Sequence, residues 1–187
     1  SPRMRPPDDT RPLSSRLPRA PRAVLSIVFA TILIDFIGFS ILIPVLPDYA
    51  DRLGASAFQV GLIVAIYALV QLLFLPAWGW CSDRFGRRPV ILVSLVGTVF
   101  SFLLLAFAES LTAIYLSRIL GGFFAASVGT AQAVVTDVTP PAERASGMGK
   151  IGAALGVAFI LGPALGGFLA DFGTRVPFYA VASIAGI

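Results

Sequence analysis

Two ionisable side chains, Asp35 and Arg118, stand deep inside long apolar runs. An ionised carboxylate in the middle of a membrane helix is expensive wherever it meets lipid. Asp35 must therefore face a bundle interior, reach a watery cavity or hold a proton, and a group whose protonation follows its access to water is what proton-coupled transport requires. A structural carboxylate satisfied by a partner side chain is the alternative. Arg118 has no neutral form to adopt, so it needs an anion, carbonyl groups or water around it. It lies about two turns inside its helix, and so could also snorkel to the surface. Thr31, Asp35 and Leu42 share one helix face, with Gly38 leaving room for a ligand or a neighbouring helix. Tyr67 and Gln71 share a face with Phe74 and Trp78; they suit either the lining of a substrate cavity or packing between helices.

A third group is crowded rather than isolated. Gly79, Asp83, Arg84, Gly86, Arg87 and Arg88 fall in one polar stretch between two apolar runs, 57–78 and 90–108, that contain no charge. Each run is long enough to cross a hydrocarbon core about 30 Å thick as a helix. The stretch reads as a tight turn between antiparallel membrane helices, and its arginines place it on the cytoplasmic side. Gly86 permits the tight backbone, while Asp83 can cap helix amides or accept from an arginine.

The elements that position these groups follow from composition. The chain is 57% hydrophobic and 13% charged, with a mean hydropathy of +0.88, against roughly 25% charged residues in ordinary soluble domains. It reads as an all-α integral membrane protein. The net charge of +4 is no nucleic-acid signal, because the basic residues sit in a tail and in alternate loops instead of on one face. There is no histidine and Cys81 is the lone cysteine, so an internal disulfide is excluded, and no metal or cofactor is expected. No H-E-x-x-H or G-x-S-x-G occurs, which leaves a membrane enzyme the weakest class.

Residues 1–22 alternate proline with arginine and have little to bury; they read as a disordered basic tail held in the cytoplasm and able to touch anionic lipid heads. A signal peptide is disfavoured, since the next apolar run is too long and lacks a small-residue cleavage site. Residues 23–187 form a transmembrane bundle with helices expected at about 24–45, 57–78, 90–108, 111–135, 145–170 and 177–187. The first is expected to stop at Pro44-Val45-Leu46-Pro47, with Asp48, Asp51 and Arg52 in an outer loop. Ser56 and Gln59 make a capping box for the second. The last run is about half the length needed to cross, so the chain reads as a fragment whose sixth helix is incomplete. On the fifth, Gly149, Gly152, Ala153 and Gly156, continued by Gly162, Pro163, Gly166 and Gly167, form a stripe that allows close helix approach and a bend.

Four patterns together resemble one family. The stretch from Gly79 to Arg88 matches G-x-x-x-D-R-x-G-R-R between the second and third helices of the major facilitator superfamily. Asp35-x-x-Gly38 with Pro44-x-x-Pro47, Arg118-x-x-x-Gly122, and Gly162-Pro163-x-x-Gly166-Gly167 occur on the first, fourth and fifth helices. The set is similar to the twelve-helix drug:proton antiporters and, through Tyr67-Ala68-Leu69-Val70-Gln71 and Asp83 to Pro89, most like their tetracycline efflux group. The resemblance implies the N-terminal six-helix bundle of a major facilitator fold, with two inverted three-helix repeats that pair the first helix with the fourth. It implies proton coupling through Asp35 and Arg118, gating by Gly79, Asp83, Arg84, Gly86, Arg87 and Arg88, and a substrate cavity near Thr31, Tyr67 and Gln71. It implies an antiporter motif at Gly149, Ala158, Gly162, Pro163, Gly166 and Gly167, where Ala158 stands in place of a usual glycine; on the fourth helix, Gly121 replaces a commonly polar residue after Arg118. The expected partners are a small-molecule substrate, protons, the bilayer and a C-terminal six-helix half. The expected function is proton-coupled export of a drug-like or amphipathic molecule from a bacterial inner membrane. An uptake or facilitated carrier for a sugar or organic acid, and a non-transporting receptor on the same fold, are the rivals.

Overall fold

The computed structural model describes residues 22–138 and 141–186, with side-chain surroundings given from Ile32 onward except at positions 127, 138 and 143. The expected tail and the side chain of Thr31 lie outside the described residues. Among the described residues seven α-helices follow one another: α1 (Arg22–Arg52), α2 (Ala57–Phe85), α3 (Arg87–Ala106), α4 (Leu111–Phe124), α5 (Ser127–Val138), α6 (Arg144–Ala170) and α7 (Val176–Ala185), with a 3-10 turn at Pro141–Glu143. Five spans among the described residues, counting α4 and α5 as one, are long and apolar enough to cross a membrane, and the chain is a multi-pass membrane protein.

The first helix does not end at its prolines. It runs through Pro44 and Pro47 to Arg52, so Asp48, Asp51 and Arg52 are its last turn and the loop is only 53–56. Each proline removes one backbone donor. Packing beyond them compensates: Val45, Leu46, Tyr49 and Ala50 are buried with Phe102, Leu105, Phe178 and Val181. The Tyr49 hydroxyl donates to the Ala108 carbonyl, and its ring lies 5.2 Å from that of Phe178.

The polar stretch after Trp78 is also mostly helix. With 29 residues, α2 is about 44 Å long and outreaches the hydrocarbon core, so Gly79 to Phe85 form its protruding end. The turn narrows to Gly86 alone, whose φ of 97° suits a residue without a Cβ. At the other end the Ser56–Gln59 capping box is present.

The expected fourth helix is broken. Ala125 leaves helical geometry at ψ 59°, and α5 restarts at Ser127. The released backbone groups find side chains instead: the buried Ser94 hydroxyl donates to the Phe124 carbonyl and accepts from Ala126 N–H at 3.3 Å. The Trp78 indole N–H donates to the Phe123 carbonyl. Gly97 makes room for the Phe124 ring, which a Cβ there would overlap.

The broadest contacts of α1 are with α6, those of α2 with α4, and those of α7 with α3. If the first helix is paired with the fourth, the second with the fifth and the third with the sixth, the α1–α6 contact becomes the α4–α2 contact, and α3–α7 maps onto itself. That is the packing of an inverted repeat. Close approach of α1 and α6 depends on Gly162 and Gly166. A Cβ at Gly162 would meet Ser40, and one at Gly166 would sit 2.7 Å from the Ile41 carbonyl oxygen. The glycines of α6 therefore do not form one stripe as expected. Ile151, Ala154, Ala158, Gly162 and Gly166 are the buried face, whereas Gly149, Gly152, Gly156 and Gly167 have nothing within 4 Å. Only 6% of the α2 span and 22% of the α6 span are buried, against 39% of α3.

Candidate functional site

Four spans converge on one cavity. It is lined by Asp35 from α1, Tyr67 and Gln71 from α2, Ser101 and Phe102 from α3, and Arg118 from α4. Its floor includes Gly121, Ala125 and Val128, so the broken segment between α4 and α5 forms part of its wall. The convergence is built locally. Gly122 lies one turn beyond Arg118 on the same helix face, and a Cβ there would come 2.6 Å from the Tyr67 carbonyl oxygen. The Arg-x-x-x-Gly spacing thus seats α2 directly on the arginine's face of α4, and Arg118 lies 5.8 Å from the centre of the Tyr67 ring. Behind it, the Ser101 hydroxyl donates to the Ser117 carbonyl at 2.8 Å and ties α3 to α4.

Arg118 does not snorkel: it is 2% exposed. The Phe102 ring centre also lies 5.6 Å from it, and the Arg118 Nε donates weakly to the Ser117 hydroxyl at 3.5 Å. Asp35 is half-buried on α1, beside Phe36 and Phe39, and Phe39 packs on Tyr67 at 5.3 Å. Within the cavity wall the polar groups are thus one carboxyl, one guanidinium, a phenol, an amide and hydroxyls, set among aromatic rings. That set can exchange a proton at Asp35 and bind a partly aromatic polar molecule. The cavity holds only about 80 Å³, room for a head group and a few waters; drug-sized sites are about 300–1,000 Å³.

The aromatic face of α2 divides its tasks. Tyr67 and Gln71 line the cavity, while Phe74 and Trp78 pack against Phe123 at 4.7 and 5.6 Å.

A second constellation sits at the end of the bundle where α2 meets α3. Arg87 holds Asp83 at 2.6 Å, donates through Nη1 to the Ser82 hydroxyl at 2.9 Å, and donates through Nε and Nη2 to Asp137 at 3.1 and 3.0 Å. One guanidinium thereby joins α2, α3 and α5. Arg84 lies over Trp80 at 5.1 Å and beside Phe85 at 5.9 Å. Gly79 is exposed with nothing within 4 Å, and Arg88 points to the surface.

On α6, Ala158, Gly162 and Gly166 pack inward, Pro163 is half-buried, and Gly149 and Gly167 are exposed.

Sequence reasoning passed over Phe36, Phe39, Thr98, Ser101, Phe102 and Val128 in the cavity wall, and Asp137 in the ion-pair network. Ser94, Thr98 and Ser101 recur at helical spacing in an otherwise apolar run, a signal that marks one polar face of α3. Asp137 lies 50 residues from its partner, and no local pattern announces it.

A family model described as Major Facilitator Superfamily matches residues 28–187. The chain is 40% identical over 153 residues to the class B tetracycline resistance protein of Escherichia coli, covering 80% of this chain and 38% of that protein. It is 37% identical over 165 residues to multidrug resistance protein 2 of Bacillus subtilis (strain 168), covering 88% and 41%. Among solved structures, the human organic anion transporter MFSD10 (TETRAN) superposes with a TM-score of 0.74 at 28% identity, over 88% of this chain and 46% of that one. The chain thus spans roughly two fifths of the length of the curated relatives it matches.

Proposed function

Because the chain belongs to the major facilitator superfamily, we propose that it is the N-terminal half of a proton-coupled antiporter that exports a drug-like or amphipathic molecule by alternating access. What carries the reading is the meeting of Asp35 and Arg118 in one cavity. The tetracycline and multidrug resistance relatives support the substrate class and the direction.

Asp35 is the proton site. Its protonated form is the cheaper one while the cavity excludes water, and its ionised form is favoured once the cavity opens. Substrate and proton then alternate as the occupants that let the closed cavity form. Arg118, flanked by Tyr67 and Phe102, supplies the fixed positive field that moves with the same helices. The Arg87 network is the gate. It ties α2, α3 and α5 together at one end, and its loss would let that end spread while the opposite end closes. That end carries the basic residues and faces the cytoplasm, in a bacterial inner membrane.

A C-terminal six-helix half completes the molecule. The uncovered faces of α2 and α6 are where it packs, and it supplies the volume that an 80 Å³ cavity lacks for a drug-sized ligand.

The test uses the complete protein in inverted membrane vesicles with an imposed proton gradient, adding tetracycline and then a panel of lipophilic cations while internal pH is followed. Proton release on addition, absent in Asp35→Asn, is expected. Uphill transport by Asp35→Asn at the parent rate would remove Asp35 from the mechanism. A gradient-independent flux of a sugar or organic acid would replace the exporter with a carrier.

A further inference from the structure

Arg118 is a permanent cation sealed into the bundle. It is 2% exposed, its Nη2 is buried and makes no hydrogen bond, and no carboxylate comes within ion-pair distance of it among the described residues. Among the described residues its only side-chain hydrogen bond is the 3.5 Å contact with Ser117. A guanidinium does not shed its proton, and a buried cation without an anion is costly unless something completes its shell. Two aromatic rings lie 5.6 and 5.8 Å from it, so those sides are taken, and the unmet nitrogen belongs to the edge of the fork. A guanidinium edge binds a planar oxyanion in its own plane, through charge-assisted hydrogen bonds.

We propose that Arg118 is a substrate-recognition residue, and that the cavity takes the carboxylate of an amphoteric aromatic molecule. This rests on the exporter reading and names its substrate class. The anionic group docks on Nη2, its ring lies among the aromatic side chains of the cavity, and its cationic group faces Asp35, which lines the same cavity. Neutral donors and acceptors are at hand in Gln71 and Thr98. The 80 Å³ volume accommodates the charged head and part of a ring, and the rest of the molecule extends toward the completing half. An exchange of the cationic group for the Asp35 proton keeps such a substrate compatible with antiport, because substrate and proton then compete for the one carboxylate.

The experiment measures equilibrium binding to the complete protein in detergent, with no gradient, by quenching of tryptophan fluorescence. The probes are 4-(aminomethyl)benzoate, its neutral-headed analogue 4-(aminomethyl)benzamide, and benzylamine. The carboxylate probe is expected to bind about 10- to 100-fold more tightly than the amide, the range of a charge-assisted hydrogen bond. Arg118→Gln brings the two probes to equal affinity, and Arg118→Lys, which keeps charge without the fork, recovers part of the preference. Equal binding of carboxylate and amide by the unmutated protein overturns the proposal without any variant having to fold. So does a preference that survives in Arg118→Gln, or no binding of the carboxylate probe by folded protein. Absence of the preference in the unmutated protein alongside intact proton-coupled efflux overturns this proposal and leaves the exporter standing. A clear preference with no efflux of any compound keeps the anion site and rejects the exporter.

Discussion

Replacing Gly166 by alanine tests whether α1 and α6 are held together by backbone contact. The added Cβ would lie 2.7 Å from the Ile41 carbonyl oxygen and 3.2 Å from Ile41 Cα, where ordinary contact begins at 3.4 Å. Both atoms are backbone, so no rotamer change relieves the overlap, and the helices must separate by several tenths of an ångström along their longest contact. Overpacking costs about 1–3 kcal/mol, and the upper part of that range, about 2–3 kcal/mol, applies where only backbone can yield. Alanine returns up to about 1 kcal/mol through better helix propensity, which leaves a net loss of about 1–2 kcal/mol, or about 5- to 30-fold in the folding constant. Ile41 is six residues from Asp35, about 9 Å along α1, so the displacement also reaches the cavity. The assay is the unfolding midpoint of the complete protein in a detergent titration, with Cys81 accessibility as a second probe. A Gly166→Ala protein at or above the parent's midpoint would refute the close-contact argument. The adjacent Gly167→Ala separates this contact from any made with the completing half, because a Cβ there meets nothing within 4 Å in this bundle.

Ser94→Ala leaves the Phe124 carbonyl and the Ala126 N–H without their shared partner, and should lower stability by about 2 kcal/mol in the same titration; Ser94→Thr, which keeps the hydroxyl, should recover part of it if the methyl is accommodated. Arg87→Ala should change the unfolding midpoint little, since Asp83 and Asp137 are 68% and 55% exposed and such pairs contribute about 0.2–1 kcal/mol. Its transport rate should nevertheless fall, and the exchange Arg87→Asp with Asp137→Arg should restore part of it; a rate equal to the parent's in Arg87→Ala would dissociate this network from gating. Tyr49→Phe removes the hydroxyl that bridges α1 to the Ala108 carbonyl and should destabilise by about 1 kcal/mol, whereas an unchanged midpoint would show that packing alone carries α1 past its prolines.

Much of this protein was legible in one dimension. Uninterrupted apolar runs determine membrane helices because no other open structure satisfies the backbone in lipid. An ionisable residue inside such a run determines an interior position, and Asp35 and Arg118 indeed line one cavity. Local chemistry was readable wherever partners lie within a turn: the Ser56–Gln59 capping box is present as expected. Tertiary structure decided what local rules leave open. Pro44 and Pro47 favour an end to α1, but the packing of Tyr49 and its neighbours against Phe178 and Phe102 carries the helix onward. The break at Ala125 has no proline to announce it, because it is sustained from α2 and α3 by Trp78 and Ser94. Glycine spacing on α6 could not show which glycines face α1, since two faces are small and only contact with Ser40 and Ile41 distinguishes them. Asp137 became a partner of Arg87 by the same route: two charges 50 residues apart have no relation until helix packing brings them together.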